Sequence, residues 1–329
     1  MPSAGTRRRA VLALAGGALA MPAFALSVAA QGKFPDRPIR LIVPWPPGGS
    51  ADAQLRSLAE LSSKTLGQPV LVENRPGASG TLGAQFLTTQ AKPDGYTLAQ
   101  MHMSIVRRPY IVRTPPWDVT ADFTHIIGLC GWMFGIAVKA DGPIRSWADF
   151  VAYARANPGR LTYATSGIAT TNHLAVEELA AREKIELVHV PYRAANESAV
   201  AVASGEVMCV ADASSWAPLV EGGQLRLICV WTAARSPRFP DAPTLKELGY
   251  DMVVTSPYGI SGPKGMDPGV VRLLHDAFKA ALLDPANVAV RGQFDMPLEY
   301  YPTAEYQQFI ARRAEYEQAM AKKLNLRID

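Results

Sequence analysis

The chain has 329 residues, 48% hydrophobic and 19% charged, with 33 basic against 29 acidic side chains. That balance belongs to a folded globular protein and excludes a collagen-like, disordered or disulfide-dense chain. The basic residues, including Arg107, Arg108, Arg312, Arg313, Lys322 and Lys323, form scattered pairs and no clustered face, which argues against nucleic acid as a partner and reads as a solvated surface, with a reach toward a ligand as the alternative for Arg107 and Arg108.

The first segment decides the compartment. Arg7, Arg8 and Arg9 precede the apolar run AVLALAGGALAMPAFALSVAA and then polar Gln31, the layout of a secretory signal peptide over residues 1–30. Ala23-Phe24-Ala25 and Val28-Ala29-Ala30 both suit cleavage, and the arginine run admits Sec or twin-arginine export. An uncleaved anchor is the alternative, although the apolar stretch is barely long enough to cross a bilayer. Without this leader the chain keeps 30 basic and 29 acidic residues and is nearly neutral. About 300 remaining residues exceed what one core serves, so two domains are expected in an extracytoplasmic protein.

Beyond the leader, short β-rich runs alternate with amphipathic ones. IRLIV predicts a strand, followed by a helix with Leu55, Leu58, Ala59 and Leu66 on one face. PVLVEN, TLGAQFLTTQA and YTLAQMH continue as strand, helix and strand, and DFTHIIGLCGWMFGIAVKA supplies two apolar runs broken by glycines. Ser146 with Asp149 forms a helix-opening capping box. RLTYAT, a helix over 171–181, LVHVPY, a helix over 194–203, VMCVAD, a short helix over 216–220 and LRLICVW follow. Thr244 and Glu247 form a second capping box, and the tail predicts a helix with Tyr306, Phe309, Tyr316 and Met320 on one side. Alternation of this kind implies mostly parallel sheets covered by helices on both faces. The elements separate into a discontinuous first domain (34–130 plus 232–329) and an inserted second domain (131–231). Cys130, Cys209 and Cys229 lie in apolar strand-like runs, where free thiols pack as small hydrophobes; an oxidising compartment would also allow a Cys209–Cys229 pair if their strands are neighbours.

Ligands of open α/β sheets sit where strands lead into helices. PWPPGGSAD, NRPGASGTLG, ATSGIATTNH, PYRAANES and ADASS are such junctions, each with glycine or small hydroxyl residues at a helix start. Unpaired amides and the helix dipole there make an anion site. In the first junction Pro44, Pro46 and Pro47 stiffen the loop, Gly48 and Gly49 let a ligand approach the backbone, and Trp45 is placed to cover an apolar part of it. A turn that needs glycine only to reverse direction is the plainer reading of the same residues.

Other chemistries fit poorly. Gly77, Gly80 and Gly83 are spaced G-x-x-G-x-x-G, not as a dinucleotide fingerprint, and no phosphate-binding P-loop or nucleophile elbow is present. Ser166, His173 and Asp212 offer triad residue types without a pattern that places the histidine against the serine. The five histidines show no i,i+4 pairing, so neither a metal nor any other cofactor is expected.

The co-linear segments FPDRPIRLIVPWPPGGSAD, VENRPGASGTLGA, KPDGYTL, ADFTHIIG, VPYR, RLICVWTAARSPRFPDAPTLKELGY and SPYGISGPKGMDP resemble the motifs of tripartite tricarboxylate transporter receptors, the Bug family of extracytoplasmic solute-binding proteins. The resemblance implies a two-domain periplasmic-binding-protein fold, type II-like, that closes on a small organic acid and passes it to membrane permease subunits, acting as a monomer. By position it implies ligand contacts from Pro47, Gly48, Ser50, Ala51 and Asp52, from Ser79 and Gly80, and from Thr165, Ser166, Gly167, Thr170 and Thr171. His102 and Ser104 end the third strand, and Asp212 matches an aspartate that in some members faces an amine or hydroxyl. Ala194, after Arg193, replaces a common glycine and adds a methyl group near the pocket. A secreted hydrolase, or a ligand sensor using the same cleft, is the alternative function.

Overall fold

The structure is a computed structural model and describes residues 34–323 and 325–328; the expected signal peptide lies outside the described residues. Strand β1 (Ile39–Val43) is buried at four of its five positions, as its apolar sequence requires. Helix α1 (Ser50–Leu66) and helix α2 (Leu82–Thr89) connect it through β2 (Val70–Asn74) to β3 (Thr97–Met101), and β1 runs parallel to both strands. Helix α3 (Met103–Ile111) and strand β4 (Phe123–Cys130) follow.

The chain then crosses to a second sheet. Its elements are β5 (Phe134–Lys139), α4 (Trp147–Ala156), β6 (Leu161–Thr165), α5 (Thr171–Glu183), β7 (Leu187–Pro191), α6 (Ala195–Ser204), β8 (Cys209–Ala213), α7 (Ala217–Glu221) and β9 (Leu225–Val230). After residues 231–257 it rejoins the first sheet with β10 (Tyr258–Pro263), α8 (Pro268–Leu283), α9 (Pro285–Gln293), β11 (Leu298–Tyr301) and α10 (Thr303–Lys323). The strand orders are β11-β4-β10-β3-β1-β2 and β7-β6-β8-β5-β9.

The expectation of mostly parallel sheets needs correction, because both are mixed. Strand β10 is antiparallel to β3 and β4, β11 to β4, and β5 to β8 and β9, while the pairs β1–β2, β1–β3, β6–β7 and β6–β8 are parallel. Parallel neighbours need a crossover helix between them. Strands β5 and β10 are entered where the chain passes from one sheet to the other, so that constraint does not act on them.

Three further expectations change. Cys130, Cys209 and Cys229 are free and buried, and β5 separates the strands of Cys209 and Cys229, pairing Val138 with one and Ile136 with the other. The buried line of α10 runs through Tyr306, Ile310, Ala314, Glu317 and Ala321, leaving Tyr316 exposed. Arg107 is buried against that line and not on the surface, with its guanidinium held by Glu317.

A buried polar contact ties the returning chain to α1. Gln54 donates through Nε2 to Asn287 Oδ1 at 3.2 Å and accepts from the Tyr258 hydroxyl at 2.9 Å. Each polar atom satisfied in this way avoids a desolvation cost of about 1–3 kcal/mol.

Candidate ligand-binding site

One cavity lies between the two sheets, and four helices begin at it. Gly49, Ser50 and Ala51 come from the start of α1, His102 and Ser104 from α3, Thr170, Thr171 and Asn172 from α5, and Ala194 and Ala195 from α6. The first two helices belong to the first lobe and the other two to the second. The N-caps of α1, α3 and α6, which are Gly49, His102 and Ala194, carry no side-chain cap. First-turn amides have no intrahelical partner, so these starts offer donors and the positive ends of dipoles to a ligand. The cavity opens to solvent, and its empty space, mouth included, is about 530 Å³.

The lining contains no lysine or arginine; its titratable groups are His102 and Asp212. Burial lowers the His102 imidazole to about 4; the Gly80 carbonyl, which accepts from Nε2 at 3.1 Å, opposes this, and the nearby Arg107 charge adds to it. His102 is therefore neutral at pH 7. Asp212 is 1% exposed, and burial pushes it up to about 7 against hydrogen bonds from the Ala213 amide, Ser166 and Ser198. The donors are Ala213 N at 2.8 Å, Ser166 Oγ at 3.2 Å and Ser198 Oγ at 3.3 Å.

An aromatic wall completes the cavity. Trp45, Trp132 and Phe134 line it. Trp132 packs on Tyr258 with centroids 4.6 Å apart, and Trp45 lies 5.1 Å from the His102 ring. Trp45 Nε1 and Ser215 Oγ are buried without a partner.

Among the residues expected to bind ligand, Trp45, Gly49, Ser50, Ala51, His102, Ser104, Ser166, Thr170, Thr171, Ala194 and Asp212 border the cavity. Others lie behind it. Asp52 accepts from Gly48 N at 3.0 Å, Arg56 Nε at 3.0 Å and Asn74 Nδ2 at 2.7 Å, closing the first loop from below. These bonds outweigh its burial and hold its carboxyl below the usual range. Thr165 Oγ1 accepts from Gly167 N and meets His189, which shapes the second loop. Gly80 must be glycine: its φ is +83°, and a Cβ there would sit 2.7 Å from His102 Nε2. Pro47, Gly48 and Arg193 are exposed and do not border the cavity.

Lining residues not singled out in the sequence are Pro46, Asn172, Ala195, Ala213 and Ser215, which lie within the strand–helix junctions expected to meet a ligand, and Trp132, Phe134 and Ser256, which lie outside them. Trp132 and Phe134 flank the crossing into β5, where apolar residues broken by glycine read as core. The lobes also touch around the cavity. Ser79 Oγ donates to Ile168 O at 2.8 Å, Arg107 Nη1 donates to Ala169 O at 2.8 Å, and the Thr171 and Ser256 hydroxyls are 3.2 Å apart. His173 Nδ1 accepts from Ala169 N at 3.0 Å, so the Ser166–Asp212 contact lacks a histidine base.

Two mixed α/β lobes with helix starts from both facing one cavity define the solute-binding class of protein. Within that class the chain belongs to the tripartite tricarboxylate transporter receptor family, whose model TctC matches residues 54–326. It is 48% identical to the UPF0065 protein in the gbd 5' region of Cupriavidus necator, over 97% of this chain and 98% of that one. It is 32% identical to protein BugT of Bordetella pertussis over 84% of this chain and 86% of BugT. Among solved structures it resembles the periplasmic binding protein BugD, with a TM-score of 0.84 and 26% identity over 89% of this chain and 99% of BugD. An R. palustris protein solved with adipate matches with a TM-score of 0.82 and 27% identity over 89% of this chain and 99% of that one.

Proposed function

We propose that this protein is a periplasmic receptor that captures a small carboxylate by closing its lobes and hands it, as a monomer, to the permease subunits of a tripartite tricarboxylate-type transporter. The observation that carries the reading is the meeting of α1 and α3 from one lobe with α5 and α6 from the other at a cavity free of lysine and arginine. A carboxylate placed there gains two opposed sets of amide donors, each helix end contributing on the order of 0.3–1 kcal/mol and more when buried. The family and the adipate-bound relative support an organic acid as the ligand.

Closure requires a hinge. The segments at 131–133 and 231–257 are the two places where the chain passes between sheets, and they make the hinge of a discontinuous domain (34–130 plus 232–329) around an inserted one (131–231). Binding without turnover is part of this reading: the family is one of transporter receptors, and His173 is engaged by the loop amide of Ala169, away from the Ser166–Asp212 contact.

Thermal-shift screening against a library of organic acids tests the reading, because a ligand that binds only the native state raises the melting temperature. At least one carboxylate should raise it and, in small-angle scattering, reduce the radius of gyration. No shift and an unchanged radius with every acid would contradict it. Co-purification with permease subunits from membranes tests the delivery step separately.

A further inference from the structure

The aromatic wall says which kind of acid the cavity takes. Trp132 cannot swing away: Tyr258 packs behind it, and the Tyr258 hydroxyl is itself fixed by Gln54. Trp45 meets Trp132 edge-on with centroids 6.3 Å apart, and Phe134 lies 6.2 Å from Trp132 on the other side. Trp132 and Phe134 are 6% and 4% exposed, so this surface is part of the packed body and not a mobile flap. A flat ring is favoured against such faces and edges.

Charge points the same way. A first carboxylate would take the uncapped helix starts, at Gly49 and His102 of one lobe and Ala194 of the other. A second carboxylate in the same space would find only neutral hydroxyl and amide groups beside the aromatic wall and Asp212, with no lysine or arginine among the described lining residues. Arg107, the buried cation that acts on the His102 ring, is spoken for by Glu317 and by the Ala169 carbonyl. A charge desolvated without a partner is strongly disfavoured. Trp45 Nε1 and Ser215 Oγ, both buried and unpartnered, remain to bond a neutral oxygen or nitrogen on the ligand body.

We propose that the cavity selects a monocarboxylate with a flat, apolar or aromatic body laid against Trp45, Trp132 and Phe134, in preference to di- and tricarboxylates. The inference rests on the carboxylate reading above and narrows it. It sets this chain apart from its adipate-bound relative, whose ligand carries two carboxylates.

Calorimetry on the full mature protein separates the possibilities, with benzoate and 3-phenylpropanoate as flat-bodied monocarboxylates, hexanoate as a flexible one, and adipate and citrate as polyacids. At least one flat monocarboxylate should bind tenfold or more tightly than adipate and citrate, with quenching of tryptophan fluorescence. Phe134→Ala should weaken the flat acid at least fivefold and leave hexanoate within twofold. Trp45→Phe, which keeps a ring in place, covers the case in which Phe134→Ala fails to fold, and it should retain the order of preference. Adipate or citrate binding as tightly as the flat acids overturns this inference and leaves the receptor reading standing. Binding by none of these five acids overturns this inference as well, whereas the receptor reading falls only when the wider acid library also fails.

Discussion

Arg107 and Glu317, 210 residues apart, form a buried bidentate ion pair: Nε donates to Oε2 at 2.7 Å and Nη2 to Oε1 at 3.1 Å, while Nη1 reaches the Ala169 carbonyl of the other lobe. One guanidinium therefore ties the last helix to the rim of the second-lobe loop. Arg313 also donates to Glu317 at 2.9 Å. Glu317→Gln leaves a buried charge uncompensated and should cost about 3–5 kcal/mol of stability. Replacing the pair together, Arg107→Met with Glu317→Leu, should cost much less. Urea denaturation of both variants checks the comparison, and equal losses would show that the charges are not coupled.

Asp212 gives the unliganded protein a definite pH dependence. Its carboxyl is raised from the ordinary 3.8 to about 7 by burial, so the folded state holds a proton that the unfolded state has released. The resulting stability is complete below pH 4 and is lost as the pH rises through 7. Asp212→Asn keeps the shape and stays neutral. It should flatten the fall in melting temperature between pH 5 and 8 and be the more stable protein at pH 8, since every tenfold difference in proton affinity between the folded and unfolded states corresponds to about 1.4 kcal/mol. A variant whose melting temperature tracks that of the wild type at every pH would place the linkage elsewhere.

Two glycines on the first lobe should respond oppositely to substitution. Gly80→Ala forces a side chain into a positive-φ position and against His102, so it should lower stability by at least ~1 kcal/mol and displace the ring that abuts Trp45. Gly49 has φ −79°, and a Cβ there would lie 4.0 Å from Ser215 Oγ across the gap between lobes. Gly49→Val should fold with a near-native melting temperature yet lose binding. Retained affinity in that variant would show that the ligand does not approach the α1 amides.

Ser79 probes closure alone. Its hydroxyl reaches Ile168 O in the other lobe, and Gly167 packs against it so closely that a Cβ on Gly167 would sit 2.8 Å from Ser79 Oγ. Removing one such hydrogen bond costs about 0.5–1.5 kcal/mol. Ser79→Ala should therefore weaken binding roughly two- to tenfold through a faster off-rate, visible in stopped-flow fluorescence.

How much of this was legible in the residues depended on range along the chain. The cavity-facing starts of α1 and α5 follow local rules: an apolar strand, small or glycine residues, then a helix face, as in IRLIV-PWPPGG-SAD. The mixed sheets did not follow, because which strand pairs with β10 is decided by where the crossing segments return. Trp132 and Phe134 carry no local sign that separates a cavity wall from a core. Asp52 has the residue type and place of a ligand contact, yet Arg56, Asn74 and Gly48 consume its oxygens from below the loop. Arg107 and the true buried line of α10 became clear only together: the helix turns Glu317 inward to meet a guanidinium contributed from far up the chain.

The most direct measurement of the clamp compares a bound carboxylic acid with its methyl ester and its primary amide in titration calorimetry against the wild-type protein. All three share a body, and only the acid presents an anion to the converging helix starts. The acid should bind at least tenfold more tightly than either neutral analogue. Equal affinity for the three would mean that the body alone is recognised and that the helix ends hold no charge.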